Sequence, residues 1–183
     1  LGILWGIMSL GVYITFRVLN FADLTVDGSF TLGGAISAVM AARGVNPLVA
    51  VLIAMIGGMI AGLSTGLLNT KLKIPGLLAS ILTQIALYSI NLRIMGSPNI
   101  PLLRVPTIFT WLEDMGFPTR WISMTVGILF MAGVIALMYW FFGTEIGSAI
   151  RATGDNPHMI RALGVHTDTT IILGLVMGNA LVA

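Results

Sequence analysis

Two carboxylates, Asp23 and Asp27, stand four residues apart between apolar stretches, in the segment 20–29. Ionisable groups are costly inside a membrane and are therefore rare there without a function. If the segment is an ordinary turn, both carboxylates are solvated and Asp27 or Ser29 caps the next helix. If it is an unwound break within the membrane, its polar groups line a path for a solute. The residues alone leave both interpretations open, and the candidate path residues here are Asn20, Asp23, Thr25 and Asp27.

Two further polar side chains, Gln84 and Asn91, interrupt an apolar stretch. They are seven residues apart and therefore share one face of a helix. Either they extend the candidate path, or they hydrogen-bond to neighbouring helices, which we favour for Asn91.

No pattern in the chain indicates catalysis. The GxxxxGK[ST] phosphate loop, the Ser-His-Asp set and the HExxH motif are absent from the sequence. The chain has no Cys, and its two histidines, His158 and His166, are poorly spaced for a metal site. We therefore predict no catalytic residue, metal site or cofactor in this chain, and any hydrolysis of ATP, with its Mg²⁺, would have to occur on another chain. A net charge of only +2 gives no indication of a nucleic-acid partner.

A second polar segment, residues 144–164, separates two apolar stretches. Asn156 followed by Pro157 predicts a helix start, and Gly164 predicts its end. The resulting helix of about two turns is too short and polar to span a membrane, so it should lie along the surface. Its small apolar face either anchors it in lipid or docks into a groove on a cytoplasmic protein. That face consists of Met159, Ile160 and Leu163.

Membrane-spanning helices must position these residues, because 57% of the chain is hydrophobic and only 9% is charged. The sequence predicts an all-α, polytopic transmembrane bundle with about six spans, forming one domain over residues 1–183. We expect it to be a fragment whose C-terminal spans lie beyond residue 183. Three long stretches without charge are 48–68, 74–92 and 121–142, and three shorter ones are 1–16, 28–42 and 169–183.

Small residues recur every four positions in the third stretch, at Ala54, Gly58, Gly62 and Gly66. Helices in lipid associate through such small-residue faces, so the stripe predicts close packing against a neighbouring helix. The alternative is a solute path lined by bare backbone.

The long loop before residue 120 contains an amphipathic pattern of Ile108, Trp111, Leu112 and Met115. This pattern predicts a short helix in the membrane interface, with a docking surface for an external partner as the alternative.

The run AIRATGDNP at residues 149–157, followed by Ala162-Leu-Gly164, resembles a known cytoplasmic coupling loop. That loop belongs to the permease family that serves branched-chain amino acid and monosaccharide importers of the ATP-binding cassette class. The run DLTVDG at 23–28 is similar to a segment near the translocation path of the same family. Two more runs, TVDGSF at 25–30 and NLRIMG at 91–96, resemble its amino-acid permease branch. The resemblance covers nearly the whole chain, although members of the family are longer.

The resemblance implies a permease subunit in a bacterial inner membrane. Two such subunits, expected to be a homodimer, would form the pore above two cytoplasmic ATPases, and an external binding protein would deliver the solute. The coupling loop contacts the ATPase in that family. Here the corresponding residues are Glu145, Arg151, Gly154, Asp155, Asn156, Pro157, Met159, Arg161, Leu163 and Gly164.

The basic residues divide five against four between the two sides, so their distribution does not determine the orientation of the chain in the membrane. The expected orientation therefore depends on the resemblance. It places residues 71–73 and 143–168 in the cytoplasm, and it places Arg43 and residues 96–120 outside.

Two other function classes are alternatives. An ion-coupled secondary transporter would also contain broken helices and carboxylates at membrane depth. A membrane-embedded enzyme would need a cluster of His, Asp or Glu within the spans, which the sequence lacks.

Overall fold

The structure is a computed structural model that describes residues 2–97 and 119–183, and all regular elements in these ranges are helical. The predicted all-α fold is thereby confirmed. The interfacial helix expected at residues 108–115 lies outside the described residues.

The helices are α1 (Gly2–Tyr13), continued by a π-helical turn (Ile14–Val18), α2 (Thr25–Ala42), α3 (Pro47–Thr70), α4 (Gly76–Met95), α5 (Thr119–Phe142), α6 (Glu145–Asp155), α7 (Pro157–Ala162) and α8 (Thr167–Val182).

Three helices of the described chain are long and apolar enough to cross a membrane: Pro47–Thr70, Gly76–Met95 and Met124–Phe142. They coincide with the three long uncharged stretches, which confirms that these stretches form helices long and apolar enough to span. Trp5–Val18 and Thr167–Val182 are shorter apolar helices. The total of six spans stays a prediction.

The glycine stripe of α3 packs against α8. A Cβ atom on Gly58 or Gly62 would overlap the backbone carbonyl of Asn179 or Leu175, and one on Gly66 would lie 2.9 Å from an Ile172 side-chain atom. The order of these contacts shows that α3 and α8 run antiparallel. The prediction of close packing is confirmed, and side chains larger than hydrogen would force the two backbones apart.

The surface helices α6 and α7 are fixed by their ends. The Thr144 hydroxyl accepts a hydrogen bond from the Gly147 N–H (3.3 Å), and the Asn156 side chain accepts one from the Met159 N–H (3.0 Å). Gly164 has a φ of +87°, a left-handed conformation that suits glycine and closes α7. The predicted start and end of α7 are confirmed, whereas the sequence analysis did not separate α6 as a helix of its own.

Candidate functional site

The first helix is interrupted where it packs against α6 and α8. The π-helical turn and the non-helical residues after it, together residues 14–24, are called the broken segment from here on. Leu19 packs in an apolar cluster with Ile150 of α6 and Leu175 of α8. π-helical turns often occur at functional sites, and here the turn leads directly into the candidate path residues.

Asp23 is buried in a hydrogen-bonded network, with only 1% of its surface exposed. Its Oδ1 accepts from the Thr25 N–H (2.9 Å), and its Oδ2 accepts from the side-chain amide of Asn179 (2.8 Å). The side-chain oxygen of Asn179, Oδ1, in turn accepts a hydrogen bond from the Ser29 hydroxyl (2.6 Å). Asn179 lies twelve residues into α8, about 18 Å from its start at 1.5 Å per residue. For Asp23, the interpretation as a solvated turn residue is therefore wrong.

A second buried contact ties α2 to α3. The hydroxyl groups of Thr25 and Thr65 are 2.7 Å apart, and both residues are fully buried. The Ser80 hydroxyl of α4 also donates to the Ala22 carbonyl of the broken segment (3.4 Å). The network therefore holds the broken segment against α3, α4 and α8, because a buried polar group without its partner would be costly.

The other two candidate path residues of this region are exposed. Asn20 has a φ of 52° and an exposed side chain, and Asp27 is exposed in the first turn of α2. Thr31 and Gly34 follow Asp27 on the same helix face and are exposed as well. Among the predicted path residues, Asp23 and Thr25 thus maintain the shape of the segment, while Asn20 and Asp27 are accessible.

Asn91 and Gln84 line the contact between α4 and α2. The buried Asn91 amide donates to the Thr31 hydroxyl (2.8 Å) and the Gly28 carbonyl (3.4 Å), which is the interhelical bonding favoured above. Its Oδ1 has no hydrogen-bond partner among the described residues. Gln84 is partly exposed beside Gly28, and no interhelical hydrogen bond is seen for it in the described part of the chain.

Two predicted coupling residues, Gly154 and Arg151, make contacts within the chain. Gly154 is buried against the Val18 carbonyl and the Leu19 backbone, so α6 rests directly on the broken segment. Arg151 donates to the Phe142 carbonyl at the end of α5, and its guanidinium lies 5.7 Å from the centre of the Phe142 ring. Because these groups already have contacts within the chain, their first role is to position α6.

The surface of α7 differs from the predicted apolar face in one residue. Ile160 is buried (6% exposed), whereas Met159 and Leu163 are 54% and 71% exposed. The Arg161 side chain is paired with Asp168 (3.0 Å) and also donates to the Thr167 hydroxyl (2.6 Å). The prediction that Ile160 belongs to the exposed face is therefore wrong, because this side chain anchors α7. The remaining predicted coupling residues, Glu145, Asp155, Asn156, Pro157 and Gly164, are exposed.

Sequence reasoning missed Asn179, Ser29 and Thr65 as members of the network. Asn179 could have been found, since a lone amide in the apolar stretch 169–183 is a polar residue at membrane depth. No signal in the sequence distinguished Ser29 and Thr65, because such hydroxyls commonly bond to their own helix backbone.

The chain is similar to known proteins along nearly its whole length. The family described as "Branched-chain amino acid transport system / permease component" matches residues 1–183. A tyrosine transport system permease protein of Clostridioides difficile (strain R20291) is 40% identical over 177 residues, which are 97% of this chain and 57% of that protein. An uncharacterized protein of Rickettsia prowazekii (strain Madrid E) is 34% identical over 174 residues, 95% of this chain and 59% of that protein. The chain thus spans less than two thirds of the length of either relative. No solved structure matches it.

Proposed function

This chain belongs to the family of permease components of branched-chain amino acid transport systems, and we propose that it is part of the permease of an ATP-driven amino-acid importer. The observation that carries the proposal is the family match over residues 1–183, supported by 40% identity to a tyrosine transport system permease. Tyrosine is therefore the first solute to test. The proposed setting is a bacterial inner membrane, with a second permease subunit, a cytoplasmic ATPase and an external binding protein as partners.

The exposed side of α7 supports docking to the ATPase. Met159 and Leu163 are four residues apart, lie on the same helix face and are both more than half exposed. The buried Ile160 and the pair between Arg161 and Asp168 hold the helix in place. A pre-ordered helix loses little conformational entropy on binding, which favours its insertion into a groove of a partner.

The contact between α6 and the broken segment supports coupling. The Thr153 hydroxyl of α6 is 2.8 Å from that of Thr170 in α8, and Gly154 touches the broken segment. A movement of α7 and α6 would therefore reach the polar network through packed atoms. This is the rigid-body switching that an alternating-access transporter needs.

The accessible path residues suit an amino-acid solute. An amino acid carries an ammonium group, and Asp27 offers an exposed carboxylate on α2 that could pair with it. In this proposal Asn20 and Asp27 contact the solute, while the buried Asp23 and Thr25 keep the segment in shape.

The test uses the full-length protein in proteoliposomes with its ATPase and binding protein. We expect tyrosine uptake that requires ATP and persists when proton and sodium gradients are removed. Uptake that needs no ATP and stops when either gradient collapses would instead identify an ion-coupled secondary transporter.

The docking role of α7 is tested by Leu163→Asp. Burying an unpaired carboxylate, and losing the apolar contact of a side chain that is 71% exposed in the free chain, should weaken ATPase binding by roughly 100-fold or more. His158→Asp, on the same helix but beside the apolar face, is the matched control and should retain the ATPase. Copurification of a full complement of ATPase with the Leu163→Asp protein would show that α7 is only a connector.

A further inference from the structure

Four basic side chains surround a pocket of about 320 Å³ at the end of the bundle where α3 meets the start of α8. Lys71 and Lys73 come from the link between α3 and α4, Arg161 comes from α7, and His166 precedes α8. This basic pocket is not used by the proposed transport path or by the exposed face of α7.

The charge of the basic pocket is not neutralised from within. Its carboxylate, Asp168, is already paired with Arg161 at 3.0 Å. Lys71 and Lys73 are exposed, and neither pairs with a carboxylate in the part of the chain that the structure describes. Two free ammonium groups beside a third cation attract an anion with several oxygen atoms.

The basic pocket lies at the level of a membrane surface. Two helices long enough to span, α3 and α4, end and begin on either side of it, at Thr70 and Gly76. Between the two lysines, the apolar side chain of Leu72 is 65% exposed. An exposed apolar residue flanked by lysines is typical of the membrane interface, where Leu enters the lipid and the ammonium groups remain at the headgroups.

An apolar groove of about 440 Å³ runs between α2, α3 and α4. On α3 it is lined by Gly57, Ser64 and Leu68, among others. Lys71 follows Ser64 by seven residues, so it lies on the same face of α3. Leu68, which lines the groove, precedes Lys71 of the basic pocket by three residues, so this end of the groove lies about one helical turn from the pocket.

We propose that the basic pocket and the groove form a binding site for an anionic phospholipid. The phosphate lies between Lys71 and Lys73, and one acyl chain follows the groove past Ser64. A free phosphate has the same chemistry as the headgroup phosphate, but it has no acyl chain to occupy the groove. The charge of the pocket and the nearby end of an apolar groove together favour a lipid.

The experiment measures binding of fluorescent phosphatidylglycerol to the full-length protein in a neutral detergent. Basic residues near an anionic lipid surface contribute enough that Lys71→Gln with Lys73→Gln should weaken binding by roughly 30-fold. Arg93→Gln, at the other end of α4, removes an exposed charge and should leave binding unchanged. Ala86→Phe places a ring in the groove from an exposed position, and it should also weaken phosphatidylglycerol binding.

Three results would overturn the proposal. One is binding by the double lysine variant within threefold of the unchanged protein. Another is displacement of the lipid by inorganic phosphate at equal concentration, since the site would then select phosphate alone. The third is normal lipid binding by the Ala86→Phe variant together with a changed mass of the purified assembly, which would show that protein covers the groove.

Discussion

Gly154→Ala tests whether α6 moves the broken segment. In the structure, a Cβ atom at this position would overlap the Val18 carbonyl oxygen and would lie 3.0 Å from the Leu19 Cα and carbonyl carbon. Ordinary contacts of a carbon atom are about 3.5–4.0 Å, and the overlap with the carbonyl oxygen is the deeper one, so the two backbones must separate by roughly 1–1.5 Å. The displacement falls on the contact through which α6 reaches the polar network.

The effect on folding should be moderate. Overpacking costs about 1–3 kcal/mol, while alanine favours a helix over glycine by about 0.8–1 kcal/mol. Because the overlapping atoms belong to the backbone, the upper end of the overpacking range applies, and the net loss in the free energy of unfolding is about 2 kcal/mol. The protein should still be inserted and purified. Coupling is more sensitive, because substitutions along a coupling network change it by roughly 2- to 30-fold.

The assay compares ATPase retention, basal hydrolysis and solute-stimulated hydrolysis in the reconstituted transporter. We expect Gly154→Ala to retain its ATPase and its basal rate, and to lose most of the stimulation by solute. The matched control is Gly133→Ala in α5, where an added Cβ meets no atom within 4 Å. Normal stimulation in the Gly154→Ala protein would refute the reasoning. Loss of the ATPase itself would show that the substitution displaces the docking helix α7 as well, and would also refute a role confined to coupling.

Three further outcomes are expected. Asp27→Asn changes an exposed carboxylate and should lower tyrosine uptake without changing the melting temperature, whereas equal uptake would remove Asp27 from the path. Asp23→Asn turns an acceptor of the network into a partial donor facing the Asn179 amide, and should destabilise the protein by about 1–3 kcal/mol, seen as a lower melting temperature. An unchanged melting temperature would argue against the network. Single cysteines at Asn156 and Arg43, both exposed in this cysteine-free chain, should react with impermeant reagents from opposite sides of the membrane, and labelling from one side would reject the orientation.

The elements of this fold were largely readable from local sequence. The three long spans follow from the length and apolarity of their stretches, because lipid admits only helices that satisfy their own backbone groups. The ends of α7 followed from Asn156 and Gly164, whose side chain and backbone conformation act within a single turn. The glycine stripe of α3 likewise predicted close packing, since its four-residue period defines one helix face.

The roles of the polar residues were decided by tertiary structure. Asp23 and Asp27 are the same residue type and have similar neighbours in the sequence, yet Asp23 is buried and Asp27 is exposed. Asp23 precedes α2 and faces Asn179, which lies 156 residues away in the chain, whereas Asp27 lies on the uncovered side of that helix. Spacing along a chain determines which residues share a helix face. Only the packing of distant helices determines what that face meets, and a buried carboxylate persists only where such packing supplies its hydrogen-bond donors.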